Sequence, residues 1–105
     1  MAKAVVTIAP EAIAEALKIA TWWNRNRPAA PRLFQLELDR AIATLVEQPE
    51  LGRRLRAPGR GSLRALTLPR TRYVVFYEYR SDKSEVILTR IRHGHRRPLA
   101  GTTRR

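Results

Sequence analysis

The residues best suited to chemistry lie near the end of the chain. His93 and His95 are the only histidines, and Arg90 and Arg92 precede them in a run typical of a β-strand. An imidazole can act as a general acid or base near neutral pH, and a guanidinium can stabilise a developing negative charge. Together with Arg64 on another predicted strand, Arg90, Arg92 and His93 could support metal-free cleavage of RNA. The alternative for Arg90 and Arg92 is an exposed, solvated strand face.

Composition excludes several other kinds of site. The chain has no cysteine, which excludes a disulfide scaffold, a thiolate zinc site and a cysteine nucleophile. No acidic or histidine cluster accompanies the two histidines, so no metal site is expected. No glycine-rich loop precedes a helix, and Ser62 and Ser84 lack the context of an activated nucleophile. We therefore expect neither a metal nor a cofactor.

The charged residues are unevenly distributed along the 105-residue chain, whose net charge is +12. Residues 1–51 hold equal numbers of bases and acids, whereas residues 52–105 hold fifteen bases, fourteen of them arginines, and three acids. Arginine presents a planar fork that binds phosphate and carboxylate equally well. The distribution predicts an acidic partner, either nucleic acid or an acidic protein surface, with a solubilising surface as the alternative.

Hydrophobic periodicity predicts the elements that position these residues. We expect strands over 4–8, 62–68, 73–79 and 85–92, helices over 10–24 and roughly 31–48, and a basic loop over 52–61. This β-α-α-β-β-β order predicts an α+β fold, a helical hairpin packed on one face of a small, mainly antiparallel sheet. Residues 1–105 are expected to form a single domain, with 99–105 as a basic tail ordered partly or only on a partner.

No apolar run approaches the roughly 20 residues that span a bilayer. The first residues are too short and too soon broken by Pro10 to be a signal peptide. A cytoplasmic protein with no membrane contact is therefore expected.

Three segments carry motifs that are distinctive as an ordered set. They are Leu-Val-Glu-Gln-Pro-Glu-Leu-Gly at 45–52, Tyr-Val-Val-Phe-Tyr-Glu-Tyr at 73–79, and Val-Ile-Leu-Thr-Arg-Ile-Arg-His-Gly at 86–94, before the pair Arg96-Arg97. With its compact size and element order, the chain resembles the RelE/ParE toxin superfamily of bacterial type II toxin–antitoxin systems. The resemblance extends from the first strand to Arg97. It implies a toxin neutralised by a cognate antitoxin.

That superfamily has two functional branches. RelE-like members cleave mRNA on the ribosome, and ParE-like members poison DNA gyrase. RelE-like members usually carry a catalytic arginine just after the first tyrosine of the aromatic strand, where this chain has Val74. They also often carry a tyrosine after the last strand, and this chain has none there. The lysines that they place before the central strands are absent too, because the only lysines here are Lys3, Lys18 and Lys83.

The resemblance therefore implies a ParE-like gyrase inhibitor. Its toxic surface would be the last strand and the tail: Arg90, Arg92, His93, His95, Arg96 and Arg97. One alternative is a RelE-like ribosome-dependent mRNA endonuclease that uses Arg64, Arg90, Arg92 and His93. A second is a basic nucleic-acid-binding module without toxicity.

The resemblance also implies a hetero-oligomer with an antitoxin whose C-terminal segment is acidic or amphipathic. The surface expected to bind it comprises the helical hairpin and the sheet edge: Trp22, Trp23, Phe34, Arg64 and Arg72. For the two tryptophans, core packing is the alternative. Specific operator DNA binding is expected of the antitoxin and not of the toxin alone.

Overall fold

The computed structural model describes residues 3–56 and 62–94. Within these ranges the elements are β1 (Val5–Ile8), α1 (Pro10–Asn26), α2 (Leu33–Glu47), β2 (Arg53–Arg54), β3 (Leu63–Thr67), β4 (Tyr73–Arg80) and β5 (Glu85–His93). The predicted α+β fold and element order are confirmed, and the expected basic loop contains one additional short strand, β2. None of the helices in the described ranges is long and apolar enough to cross a membrane.

The sheet has the order β1-β5-β4-β3-β2. β1 pairs in parallel with β5, and the other pairs are antiparallel. β1 reaches only from Glu85 to Leu88 of β5, because the chain turns into α1 at Pro10. Proline suits the first turn of a helix, where its missing N–H is not needed. Beyond Leu88, helix α1 lies against the outer edge of β5.

The apolar stripe of α2 packs on one face of the sheet. Its members are Phe34, Leu38, Ala41 and Leu45, which are all buried. They meet the alternating core residues of β4 and β5, of which Val75, Tyr77, Val86 and Leu88 are fully buried. This helix-covered side is the core, and side chains of the opposite strand parity lie on the other face.

A bulge in β5 changes which residues face the core. Phe76 pairs with Arg90 and Tyr77 with Leu88, so Thr89 is left as the extra residue. Leu88 and Ile91 are therefore both buried although they stand three residues apart. The bulge places His93 opposite Tyr73 on the core side and Arg92 opposite Val74 on the other side.

Candidate functional site

A groove of about 730 Å³ lies between α1, the second half of β5 and the turn that joins β3 to β4. It exists because β1 ends early, so that a helix and not a strand flanks β5 at this point. Its volume falls in the range typical of ligand sites. The helix and the residue after it contribute Glu15, Lys18, Ile19, Trp22, Trp23 and Arg27. The turn and β4 contribute Arg70, Thr71 and Tyr73, and β5 contributes Ile91, Arg92 and His93.

Glu15 of α1 binds the outer edge of β5. Its Oε1 accepts a hydrogen bond from the backbone N–H of Ile91 at 2.8 Å, and its Oε2 accepts from Nε and Nη2 of Arg90 at 2.9 and 2.8 Å. Burial opposes ionisation of Glu15, but these hydrogen bonds and the charges of Arg90 and Arg92 outweigh it and hold the pKa of the carboxyl below its ordinary value. Arg90 is therefore engaged in an ion pair.

Glu37 of α2 holds the turn between β3 and β4. The residue is only 6% exposed, and its carboxylate accepts hydrogen bonds from the backbone N–H groups of Arg70 and Thr71 at 2.8 and 2.9 Å and from the Thr71 hydroxyl at 2.8 Å. Burial raises the pKa of Glu37, but these donors lower the pKa by a larger amount, so the net shift is downward. This contact places Arg70 and Thr71 at the end of the groove.

Two successive edge-to-face ring contacts position His93. Its ring stands edge-on to Tyr73, with centroids 4.9 Å apart, and Tyr73 in turn packs edge-on against Phe34 at 5.2 Å. Edge-to-face pairs of this kind stabilise one ring orientation. These contacts fix the orientation of the imidazole at the wall of the groove, which Arg92 also lines.

Trp22, Trp23 and Arg27 form the helix wall. The two indole rings are T-shaped at 6.0 Å, and the Arg27 guanidinium lies 4.8 Å from the Trp22 centroid and 5.7 Å from that of Trp23. Trp22 is 43% exposed, whereas Trp23 packs against the core. Core packing, the alternative given for both tryptophans, therefore describes Trp23 and not Trp22.

Arg64 lies away from this groove. Its Nη1 donates to the carbonyls of Gly52 and Glu50 at 2.7 and 3.0 Å. It pairs with Tyr77, whereas His93 pairs with Tyr73 two strands away. At about 3.3 Å per residue and 4.8 Å between strands, the two Cα atoms stand about 16 Å apart. The structure therefore does not bring together Arg64, Arg90, Arg92 and His93 as one site.

Tyr77 shares this structural role with Arg64. Its buried hydroxyl accepts from the Gly52 N–H at 2.7 Å and donates to the Pro49 carbonyl at 2.9 Å. A side chain on Gly52 would overlap that hydroxyl, since a Cβ there would lie 2.5 Å from the oxygen. The Pro-x-x-Gly motif, Pro49 to Gly52, thus serves to close the turn after α2.

Phe34 is 1% exposed and belongs to the core, so the expectation of an exposed interface anchor at this position is wrong. Its ring completes the apolar stripe of α2 and cannot contact a partner while the core is closed. Arg72 is exposed at the end of the β3–β4 turn. His95, Arg96 and Arg97 lie outside the described residues.

Sequence reasoning missed the charged and aromatic groove residues Glu15, Lys18, Arg27, Arg70 and Tyr73. For α1 a signal was available, because Glu15, Lys18 and Trp22 follow the i, i+3, i+7 spacing of one helix face. Arg70 and Tyr73 gave no such signal, since the turn that carries them is placed by contacts with α2. In the described ranges no group of three histidine, aspartate or glutamate residues could hold a metal ion.

The sequence matches a known protein family, and the fold matches solved structures. Residues 6–98 match the family model described as ParE toxin of type II toxin–antitoxin system, parDE. The toxin–antitoxin complex RelBE2 of Mycobacterium tuberculosis superposes with a TM-score of 0.63 at 18% identity, over 87% of this chain and 98% of that one. No curated protein matches the sequence.

Two Escherichia coli structures are also similar. The intact RelBE toxin–antitoxin complex gives a TM-score of 0.57 at 14% identity, over 90% of this chain and 100% of that one. A free double arginine-to-alanine mutant of toxin RelE gives 0.58 at 18% identity, over 90% and 86%. At identities this low, the superpositions establish a common fold and nothing further.

Proposed function

The chain belongs to the ParE toxin family of type II toxin–antitoxin systems, and from this premise we propose that it inhibits DNA gyrase and is neutralised by a cognate antitoxin. Gyrase inhibition is the activity of the ParE branch that the sequence resembles. It requires a binding surface and no assembled catalytic set. The target acts in the bacterial cytoplasm, so this function implies a cytoplasmic location.

The position of Arg64 carries the preference for gyrase over RNA. Of the cations suggested for cleavage, Arg64 closes a turn and Arg90 is paired with Glu15. A guanidinium held by carbonyl or carboxylate acceptors is less available to a phosphate. Val74 occupies the place of the catalytic arginine in RelE-like members.

The groove accounts for neutralisation. It unites Trp22 and Trp23, which we assign to antitoxin binding, with Arg92 and His93, which we assign to toxicity. An antitoxin segment seated there would cover the toxic residues directly. We place Arg72, exposed at the turn beside Arg70, at the rim of the same contact. The functional complex is then a hetero-oligomer in which specific operator binding belongs to the antitoxin.

One observation favours a ribosome-dependent endoribonuclease as the second candidate. Arg70, Tyr73, Arg92 and His93 all line the groove. His93 could transfer a proton while the guanidinium groups stabilise the charged phosphate intermediate. The solved structures similar in fold are of RelE and RelBE proteins. This catalytic set would omit Arg64.

A pulse of expression in a bacterial host distinguishes the two functions. For a gyrase inhibitor we expect an induced DNA-damage response, altered plasmid supercoiling and intact mRNA by primer extension. With purified gyrase, Arg92→Ala should weaken inhibition of supercoiling by about tenfold, because a charge-assisted contact is lost. Arg53→Ala, at an exposed position on β2 outside the groove, is the matched control and should inhibit like the unchanged chain.

Cleavage of mRNA within minutes of induction, lost in His93→Ala, would contradict the gyrase proposal and establish the endonuclease. Absence of any growth effect would contradict both and favour the basic binding module.

A further inference from the structure

The backbone pairing of β5 is interrupted on both sides near the middle of the strand. On the outer side, the pairing with β1 ends at Leu88, whose carbonyl accepts a hydrogen bond from the Ala9 N–H at 2.8 Å. On the inner side, the bulge at Thr89 breaks the register with β4. A bulge bends its strand and re-aims the side chains that follow. The residues assigned to toxicity begin directly after this point, at Arg90, so another contact has to fix their direction.

That contact comes from Glu15 of α1. Its Oε1 accepts from the Ile91 N–H at 2.8 Å, as the carbonyl of a neighbouring strand would, and its Oε2 accepts from Nε and Nη2 of Arg90. The side chains of Arg90 and Glu15 are 39% and 23% exposed, so water screens the pair only in part. Two hydrogen bonds to one guanidinium also restrict its orientation. Glu15 therefore takes the place of a strand where β1 no longer reaches.

Arg90 and the two groove residues that follow it on β5 are held differently. Two nitrogens of Arg90 are bound to Glu15, and Arg90 is not among the residues that line the groove. Arg92 and His93 do line the groove, and they pair across the sheet with Val74 and Tyr73. The geometry thus separates an arginine that ties the strand to α1 from two residues that the strand presents at the groove.

We propose that Glu15 is a positioning residue for gyrase inhibition: together with Arg90 it fixes the end of β5, and Arg92 and His93 then contact the target. This inference rests on the proposed function and divides the toxic surface in two. Arg90 acts through the direction of the strand and does not touch gyrase.

A double-mutant cycle with the full chain and purified gyrase separates positioning from direct contact. The variants are Glu15→Gln, Arg90→Gln and the double variant, and the readout is the concentration of chain that halves supercoiling. We expect each single change to raise that concentration by about tenfold, because one charged partner is left without the other. The double variant should be no weaker than either single one, because both side chains act through one contact.

A second cycle tests whether Glu15 acts through Arg92. In a chain that already carries Arg92→Ala, Glu15→Gln should raise the halving concentration by only about threefold, because part of what it positions is gone. A loss caused by poorer folding would be equally large in both backgrounds. Glu11→Gln is the matched control, since it removes one negative charge at an exposed position in the first turn of the same helix. It should inhibit like the unchanged chain.

Hydrogen exchange provides a readout without gyrase. The Ile91 N–H should exchange faster by about tenfold or more in Glu15→Ala, relative to the Val75 N–H in the core of the sheet, and should not change in Glu11→Gln. Equal exchange of the Ile91 N–H in Glu15→Ala and the unchanged chain would overturn the inference. If Glu15→Gln does not fold, Glu15→Asp replaces it in both cycles, because it keeps the charge and withdraws the carboxylate by one methylene.

A loss of about a hundredfold in the double variant, the product of the two single losses, would show that Arg90 contacts gyrase directly and would overturn the inference. Unchanged inhibition by Glu15→Gln would overturn it as well. The proposed function fails separately: if the unchanged chain does not inhibit gyrase, that function is contradicted and the inference falls with it. If the unchanged chain inhibits gyrase and the cycles are additive, only the positioning by Glu15 is contradicted.

Discussion

Arg72 is held in a backbone conformation that most residues avoid. Its φ is 70°, in the left-handed region that costs a non-glycine residue about 1–2 kcal/mol. Its carbonyl accepts a hydrogen bond from the Gly94 N–H at 2.9 Å, and a Cβ on Gly94 would lie 2.6 Å from that oxygen. The strained turn and the glycine of the Ile-x-His-Gly motif, Ile91 to Gly94, thus fit each other. Together they set where the chain leaves β5.

Replacing Arg72 by glycine should stabilise the protein, because glycine adopts positive φ without the Cβ penalty. We expect the free energy of unfolding to rise by about 0.5–1 kcal/mol, measured by urea denaturation. Arg72→Ala is the control, since it removes the same side chain but keeps the strain. A rise of equal size in both variants would show that the strain is not the cause.

Helix α2 contacts the β3–β4 turn through Glu37. The helix buries its apolar stripe in the core, and this one carboxylate continues the contact to the β3–β4 turn. Three donors converge on it, and the pKa of Glu37 is lowered because they favour its ionised form over the opposing effect of burial. The turn that carries Arg70 is therefore positioned by an ionised side chain from another element.

The stability of the fold should consequently depend on pH. A carboxyl whose pKa is lower in the folded state than its ordinary 4.5 contributes fully above that value. As the pH falls through the lower, folded pKa, this contribution is lost, so the free energy of unfolding should decrease on acidification.

Glu37→Gln should cost about 1–3 kcal/mol near neutral pH and flatten the acid dependence. Denaturant titrations from neutral pH to about pH 3 measure both effects. Glu47→Gln, at an exposed residue that pairs with Lys3, is the control. An acid dependence as steep in Glu37→Gln as in the unchanged chain would exclude Glu37 as a source of the effect; Glu15, whose pKa is also lowered, should account for the remainder.

At the scale of the whole molecule, charge is concentrated where the partner is expected. The excess of arginine lies in residues 52–105, but the groove draws Lys18 and Arg27 from the electrically balanced first half. The fold therefore concentrates positive charge further than the sequence distribution does. A concave surface of net positive charge attracts a negatively charged partner over a distance of about a Debye length.

Association with an acidic peptide should accordingly be sensitive to salt. We expect the association rate constant to fall by about tenfold or more between about 50 and 500 mM NaCl, with a smaller change in the dissociation rate. Stopped-flow tryptophan fluorescence measures both rates. A matched peptide in which Gln replaces each Glu is the uncharged control. An association rate unchanged by salt would contradict electrostatic attraction as the cause of fast binding.

The sequence by itself determined the elements, their order and the family. The stripe of α2 and the alternation of β4 follow from which side chains must leave water, a local requirement visible in the spacing of apolar residues. The Pro-x-x-Gly and Ile-x-His-Gly motifs likewise mark two turns in which the structure leaves no room for a side chain.

Only the tertiary structure decided which charged residues meet. Arg64 and Arg92 look equivalent in the sequence, yet one closes a turn and the other lines the groove, because strand order and the bulge at Thr89 separate them. The groove exists because β1 covers only the first half of β5. Such meetings depend on contacts between residues far apart in the chain, such as Glu15 with Arg90 and Glu37 with Thr71, and local periodicity carries no information about them.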